Sequence, residues 1–102
     1  MPEFTRVARL SDVPAGTLKS IYANAQALVL ANVDGTICAL EDRCSHEEYP
    51  LSDGELDGNT LVCMHHGARF DACTGRNKGL PAVRPVRSFR VEIRDGEVFV
   101  EV

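Results

Sequence analysis

The side chains with the most chemistry in this chain lie in two short stretches, Cys44-Ser45-His46 and Cys63-Met64-His65-His66, with sixteen residues between His46 and Cys63. Each stretch supplies a thiol and an imidazole, set among glycines, prolines and carboxylates. Two thiolates and two imidazoles form a mixed soft and borderline donor set that suits zinc or an iron–sulfur centre. Spacing bears on the choice. Zinc pairs usually leave about two to four residues between ligands, so that both reach one ion from one turn. Cys63 and His66 meet that condition, whereas Cys44 and His46 have a single residue between them. A one-residue gap in extended chain points side chains in opposite directions. That suits a centre with two separate metal atoms better than a single ion.

The elements that must position these residues read as β-structure. Strands are predicted from Thr5 to Leu10, Leu18 to Tyr22, Ala25 to Ala31 and Thr36 to Glu41, with a polar connection from Ser11 to Gly16. Ala23-Asn24 and Asp34-Gly35 are placed as tight turns, because Asn and Gly tolerate positive φ. Asp95-Gly96 predicts a C-terminal hairpin in which Arg94 faces Glu97, Ile93 faces Val98, Val91 faces Val100 and Phe89 faces Val102, with those last six on one apolar face. Between 42 and 81 the texture changes, and Gly54, Gly58, Gly67, Gly75 and Gly79 interrupt every run. Such a segment is not expected to build its own apolar core, and a metal centre could supply the missing order. The expectation is one all-β domain: a sandwich or barrel-like base from 1–41 and 82–102, carrying a loop-rich ligand-binding subdomain at 42–81.

Composition narrows the function. The chain has 102 residues, 44% of them hydrophobic, and 11 basic against 15 acidic side chains, for a net charge of −4. A nucleic-acid partner would call for a basic stripe, which is absent. No run approaches membrane-spanning length, and no secretory leader is visible, so the expected compartment is the cytoplasm, where thiols stay reduced. Cysteines there read as ligands or core thiols before disulfides. No glycine-rich dinucleotide fingerprint is present, and the three histidines leave none for a further mononuclear iron site. The chain is expected to be a carrier and not an enzyme.

The paired motif resembles that of Rieske 2Fe–2S proteins, and the likeness extends to Gly67, Phe70-Asp71, Thr74-Gly75 and Pro81. It covers essentially the whole chain, whose length is similar to that of the Rieske ferredoxins of bacterial multicomponent aromatic-ring dioxygenase systems. The resemblance implies an all-β Rieske fold and one 2Fe–2S cluster, with Cys44 and Cys63 on one iron and His46 and His66 on the other, near the surface. It implies one-electron transfer by a soluble monomer, from a ferredoxin reductase using FAD and NADH to a terminal ring-hydroxylating oxygenase. Two alternatives stand beside it: the small Rieske-like subunit of an assimilatory nitrite reductase, and a zinc-stabilised interaction module without redox function. Respiratory Rieske proteins resemble Cys-x-Cys-His-Gly-Ser-x-Tyr in the second loop, with hydroxyls that raise the potential. Ala68 and Phe70 stand there in this chain, which implies a lower potential within the class. Tyr49 and His65 occupy the positions of the disulfide that straps the two loops together in those proteins, so that strap cannot form.

The remaining candidates have plainer readings. His65 is expected to face solvent or a partner. Cys38, in step with Leu40, reads as a core thiol, and Cys73 as a bystander in a turn; a Cys38–Cys73 disulfide is disfavoured in a reducing compartment. Asp53, Glu55, Asp57 and Gly58 open like a calcium loop, but the closing position is Met64 where a bidentate Glu is required, so they are turn residues. Glu47-Glu48 could steer a basic partner, and Leu80-Pro81 could shield the metal site.

Overall fold

The computed structural model describes residues 3–43, 50–64, 67–78 and 84–102. Among the described residues, ten strands form three antiparallel sheets: β1 Phe4–Arg9, β2 Leu18–Ala23, β3 Gln26–Val33, β4 Thr36–Glu41, β5 Glu55–Asp57, β6 Thr60–Val62, β7 Arg69–Asp71, β8 Ser88–Phe89, β9 Val91–Arg94 and β10 Glu97–Glu101. The first sheet has the order β1-β10-β9, the second β2-β3-β4-β8, and the third β5-β6-β7. Among the described residues the only helical pieces are short 3-10 turns at Leu10–Asp12 and Leu51–Asp53.

The second sheet is the middle layer, and the sequence of β3 shows why. Its run Ala27-Leu28-Val29-Leu30-Ala31 is apolar at every position, as a strand buried on both faces requires. Leu28 and Leu30 join Ala8, Val13, Ile37, Ala39, Val98 and Val100 in a core against the first sheet. Val29, Ala31 and Leu40 face the other way, into a second core with Leu51, Leu61, Phe70, Ala72 and Val86 against the third sheet. Strand alternation thus sends neighbouring residues of one strand into different cores.

Local turns set the registers. Asp34 and Gly35 have φ of 54° and 96° and close the β3–β4 hairpin, with Val33 opposite Thr36. Asp95 and Gly96 close the β9–β10 hairpin in the expected register, with Ile93 opposite Val98 and Val91 opposite Val100. Buried Asn32 secures the long connection before β2: its Nδ2 donates to the Val13 carbonyl at 2.7 Å, and its Oδ1 accepts the Gly35 N–H at 2.8 Å.

Four expectations need correction. The first hairpin turns at Asn24-Ala25, not Ala23-Asn24, so Ala23 pairs with Gln26 and β2 gains a residue. The C-terminal hairpin does not extend to Phe89 and Val102. Phe89 pairs with Ala39 in the middle sheet, and Ile93 stays 43% exposed, leaving Val98 and Val100 as the fully buried pair. The segment 42–81 does not lack an apolar core: Leu51, Leu61, Phe70 and Ala72 are buried against the outer face of the middle sheet. Finally, Cys38 is not a core thiol nor Cys73 a bystander. They form a disulfide across 35 residues, with Cα atoms 4.8 Å apart, joining β4 to the turn after β7.

Candidate metal centre

Cys63, the first residue of the second ligand stretch, stands at the end of a hairpin ladder. β6 and β7 pair Leu61 with Phe70 and Val62 with Arg69. The ladder continues one step further, where the Cys63 N–H donates to the Ala68 carbonyl at 2.6 Å. Just before Ala68, Gly67 has φ of 69°, a left-handed conformation in which a β-carbon is strained. Alternation then places Cys63 inward, 1% exposed and part of the second core, while Met64 is 63% exposed. Ala68 and Phe70 are fully buried in the same core.

The first ligand stretch leaves the end of β4. The Asp42 N–H donates to the Ala27 carbonyl at 3.0 Å, which holds the exit point on the middle sheet. The Asp42 carboxylate then reaches across the loop. Oδ1 accepts the Ser52 N–H and Oδ2 the Ser52 hydroxyl, each at 2.7 Å. Leu51, beside Ser52, is fully buried in the second core. The loop 43–51 is thus fastened at both feet.

The chain flanking 79–83 is fastened too. The Lys78 N–H donates to the Arg69 carbonyl at 2.8 Å, and the Val86 N–H to the Gly75 carbonyl at 2.9 Å. Gly75 has φ of 77°, and a β-carbon there would drive into the Val86 carbonyl. The turn between them is organised by Asp71, whose Oδ1 accepts the N–H groups of Cys73 and Thr74, both at 2.9 Å. Partial burial pushes the Asp71 carboxyl up, but hydrogen bonds from the Thr74 and Cys73 amides and the Thr74 hydroxyl, with the charge of Lys78, outweigh it and hold the group below its ordinary value.

Of the sequence-predicted ligands, Cys63 is placed at the mouth of the second core. Cys44, His46 and His66 lie outside the described residues, as do His65, Glu47, Glu48, Tyr49, Leu80 and Pro81. The donor set can still be tested. With Cys38 and Cys73 joined to each other, a four-thiolate site is out of reach, and the chain has Cys44 and Cys63 left to offer. A centre built here must complete its ligation with other donors, as a two-cysteine, two-histidine cluster does. Asp53, Glu55 and Asp57 lie in a 3-10 turn and along β5, and among the described residues no cluster of carboxylates, cysteines or histidines could hold a metal ion.

Sequence reasoning missed two parts of the frame. The Asp42–Ser52 clamp has no sequence signature, since its partners are ten residues apart across an irregular loop. The Cys38–Cys73 bridge did have one: four cysteines less two ligands leave a pair.

The chain matches the family described as "Rieske [2Fe-2S] domain" over residues 3–90. It is 36% identical over 96 residues to Ferredoxin CarAc of Metapseudomonas resinovorans, covering 93% of this chain and 90% of that protein. Among solved structures it superposes on a chain of the complex of reduced oxygenase and oxidized ferredoxin in carbazole 1,9a-dioxygenase, with a TM-score of 0.90 and 35% identity, covering 96% of this chain and 92% of that one. It likewise superposes on the Sphingomonas yanoikuyae B1 ferredoxin, with a TM-score of 0.92 and 32% identity, covering 98% and 99%. The buried Cys63 at the end of the β6–β7 ladder, the all-β frame and these full-length similarities agree: the chain belongs to the Rieske [2Fe–2S] family.

Proposed function

We propose that this protein is a one-electron carrier of a multicomponent aromatic-ring dioxygenase system, with one 2Fe–2S cluster held by Cys44, His46, Cys63 and His66. The observation that carries the reading is the inward-facing Cys63 of the second ligand loop, in a chain whose two non-motif cysteines are tied to each other. When bound, the cluster supplies reversible one-electron redox chemistry. This chain's own residues keep the site in shape. Ala68 fixes the Cys63 amide, Asp42 and Ser52 close the first loop, and Leu51, Leu61 and Phe70 fill the space beneath so that water does not reach the buried side. In this reading residues 42–81 form the cluster-binding subdomain, and 1–41 with 82–102 form its base.

The partners are a flavin-dependent ferredoxin reductase as donor and a terminal ring-hydroxylating oxygenase as acceptor. The similarity to a ferredoxin solved with its oxygenase supports the second of these. The carrier works as a monomer in the cytoplasm. Among the described residues no helix is long and apolar enough to cross a membrane.

Visible absorption and low-temperature EPR of the reduced protein test the proposal. A Rieske-type spectrum with two irons and two acid-labile sulfides per chain is expected. A colourless protein with one zinc per chain and no sulfide would overturn it.

A further inference from the structure

We propose that Cys38–Cys73 is a reversible thiol/disulfide switch that governs how firmly the second ligand loop is held. The bridge joins the middle sheet to the third sheet, and it does so at the turn that continues β7. Five residues upstream, Ala68 holds the amide of Cys63. Three residues downstream, the Arg76 carbonyl accepts the Asp71 N–H at 2.8 Å and so closes the same turn.

Three features suit a switch better than a permanent staple. First, the two cysteines are unequally exposed. Cys38 is 7% exposed, whereas Cys73 is half-buried, so an incoming thiolate has a more open side at Cys73. Second, the turn has its own scaffold. Asp71 caps it through the Cys73 and Thr74 amides, and Gly75 is bonded to Val86, so opening the bridge leaves a folded turn. Third, the opened form is a comfortable one. The Cys38 thiol would sit in a small apolar site on β4, where free cysteine behaves as a small hydrophobe.

The exchange balances as follows. A thiolate of an external protein or small-molecule dithiol attacks the Cys73 sulfur, forms a mixed disulfide and expels the Cys38 thiolate. The second thiol of the donor then attacks the mixed disulfide and releases the Cys73 thiolate. Two electrons and two protons pass to the protein, and the donor leaves as its disulfide; the reverse reaction uses an oxidised dithiol of the same class. In the disulfide form β7 is anchored to β4 by a covalent bond. In the dithiol form β7 and the loop it carries are held by packing and backbone bonds alone. The effect on electron transfer rests on the function proposed above, while the switch itself does not.

The test uses the metal-loaded protein isolated in air. Acid quenching, alkylation and peptide mass spectrometry should find Cys38 and Cys73 cross-linked. Anaerobic equilibration with dithiothreitol should open the bridge with the visible spectrum retained. Hydrogen exchange should then rise at least tenfold over residues 63–78, stay unchanged over Gln26–Val33, and revert on addition of oxidised dithiothreitol. Cys73→Ser should show the reduced pattern under all conditions. The proposal is overturned if no cross-link is found, if reduction leaves exchange over 63–78 unchanged, or if reduction raises exchange throughout the chain, which would mark a structural staple. The cross-link and exchange readouts do not require the metal to be iron, so they separate this inference from the function.

Discussion

Asp42 and Ser52 face each other across the first ligand loop, with both carboxylate oxygens engaged by one residue: the amide to Oδ1 and the hydroxyl to Oδ2, each at 2.7 Å. The clamp closes the loop that carries Cys44 and His46, so its two bonds can be removed separately. Ser52→Ala deletes one donor to a charged acceptor and should cost about 1.5–3 kcal/mol. Asp42→Ala removes both acceptors, leaves the Ser52 amide without its partner, and should cost more. Cluster release into an iron chelator should accelerate in that order, Asp42→Ala beyond Ser52→Ala. Equal release from both variants and the parent would dismiss the clamp as a determinant of loop closure.

Removal of the metal should loosen the loops and spare their foundation. The sequence led to the expectation that residues 42–81 lose order without iron. The core of Leu51, Leu61, Phe70 and Ala72 and the Cys38–Cys73 bridge change the forecast. Hydrogen exchange of the apo form should rise over 43–51 and 63–68, while Thr60–Val62 and Arg69–Asp71 keep most of their protection. Full exchange across 42–81 would restore the original expectation and show that packing alone does not hold the third sheet.

Ala25 occupies a left-handed turn position with φ of 61°. An L-residue with a β-carbon pays roughly 1–2 kcal/mol there. Glycine escapes that strain but brings about 0.5–1 kcal/mol of extra chain entropy to the unfolded state. The difference favours Ala25→Gly by roughly 0.5 kcal/mol, or about 2–4 °C in Tm for a domain of this size. A lower Tm on calorimetry would contradict this reading of the turn.

The potential should respond to hydroxyls placed beneath the second loop. Phe70 and Ala68 are fully buried where respiratory relatives resemble Tyr and Ser. A hydrogen bond of about 0.5–1.5 kcal/mol that favours the reduced state corresponds to roughly 20–65 mV upward, at 59 mV per tenfold for one electron. Ala68→Ser with Phe70→Tyr should therefore raise the midpoint, and the parent should lie in the lower part of the range of roughly −150 to +300 mV. Protein-film voltammetry checks both statements, and a parent value near the top of the range would refute them.

Acid should weaken the turn after β7. The Asp71 carboxyl is held below its ordinary value of 3.8, so its stabilisation is complete above that pH and disappears as the pH falls through the lower folded value. Exchange at Cys73 and Thr74 should rise in that acid window, and Asp71→Asn should abolish the pH dependence. An unchanged profile in the variant would remove Asp71 from the account.

What the sequence determined by itself is local. Residue type and spacing nominated the ligand pairs, because metal chemistry constrains both. Asp34-Gly35 and Asp95-Gly96 set their hairpins, because positive φ is a property of two residues and their neighbours. Only the tertiary structure decided the contacts between distant segments. Cys38 meets Cys73 because a third sheet stacks on the middle one, and no local preference encodes that approach. Phe89 leaves the C-terminal hairpin because β4 offers a free edge, and a hairpin's own pattern carries no information about that edge. Asp42 finds Ser52 because burial of Leu51 in the second core brings its neighbour Ser52 back to the end of β4. Dihedral preferences act within a few residues, whereas packing is settled by the whole chain at once. Candidate donors could therefore be nominated from the sequence, while the frame around Cys63 came from the whole fold.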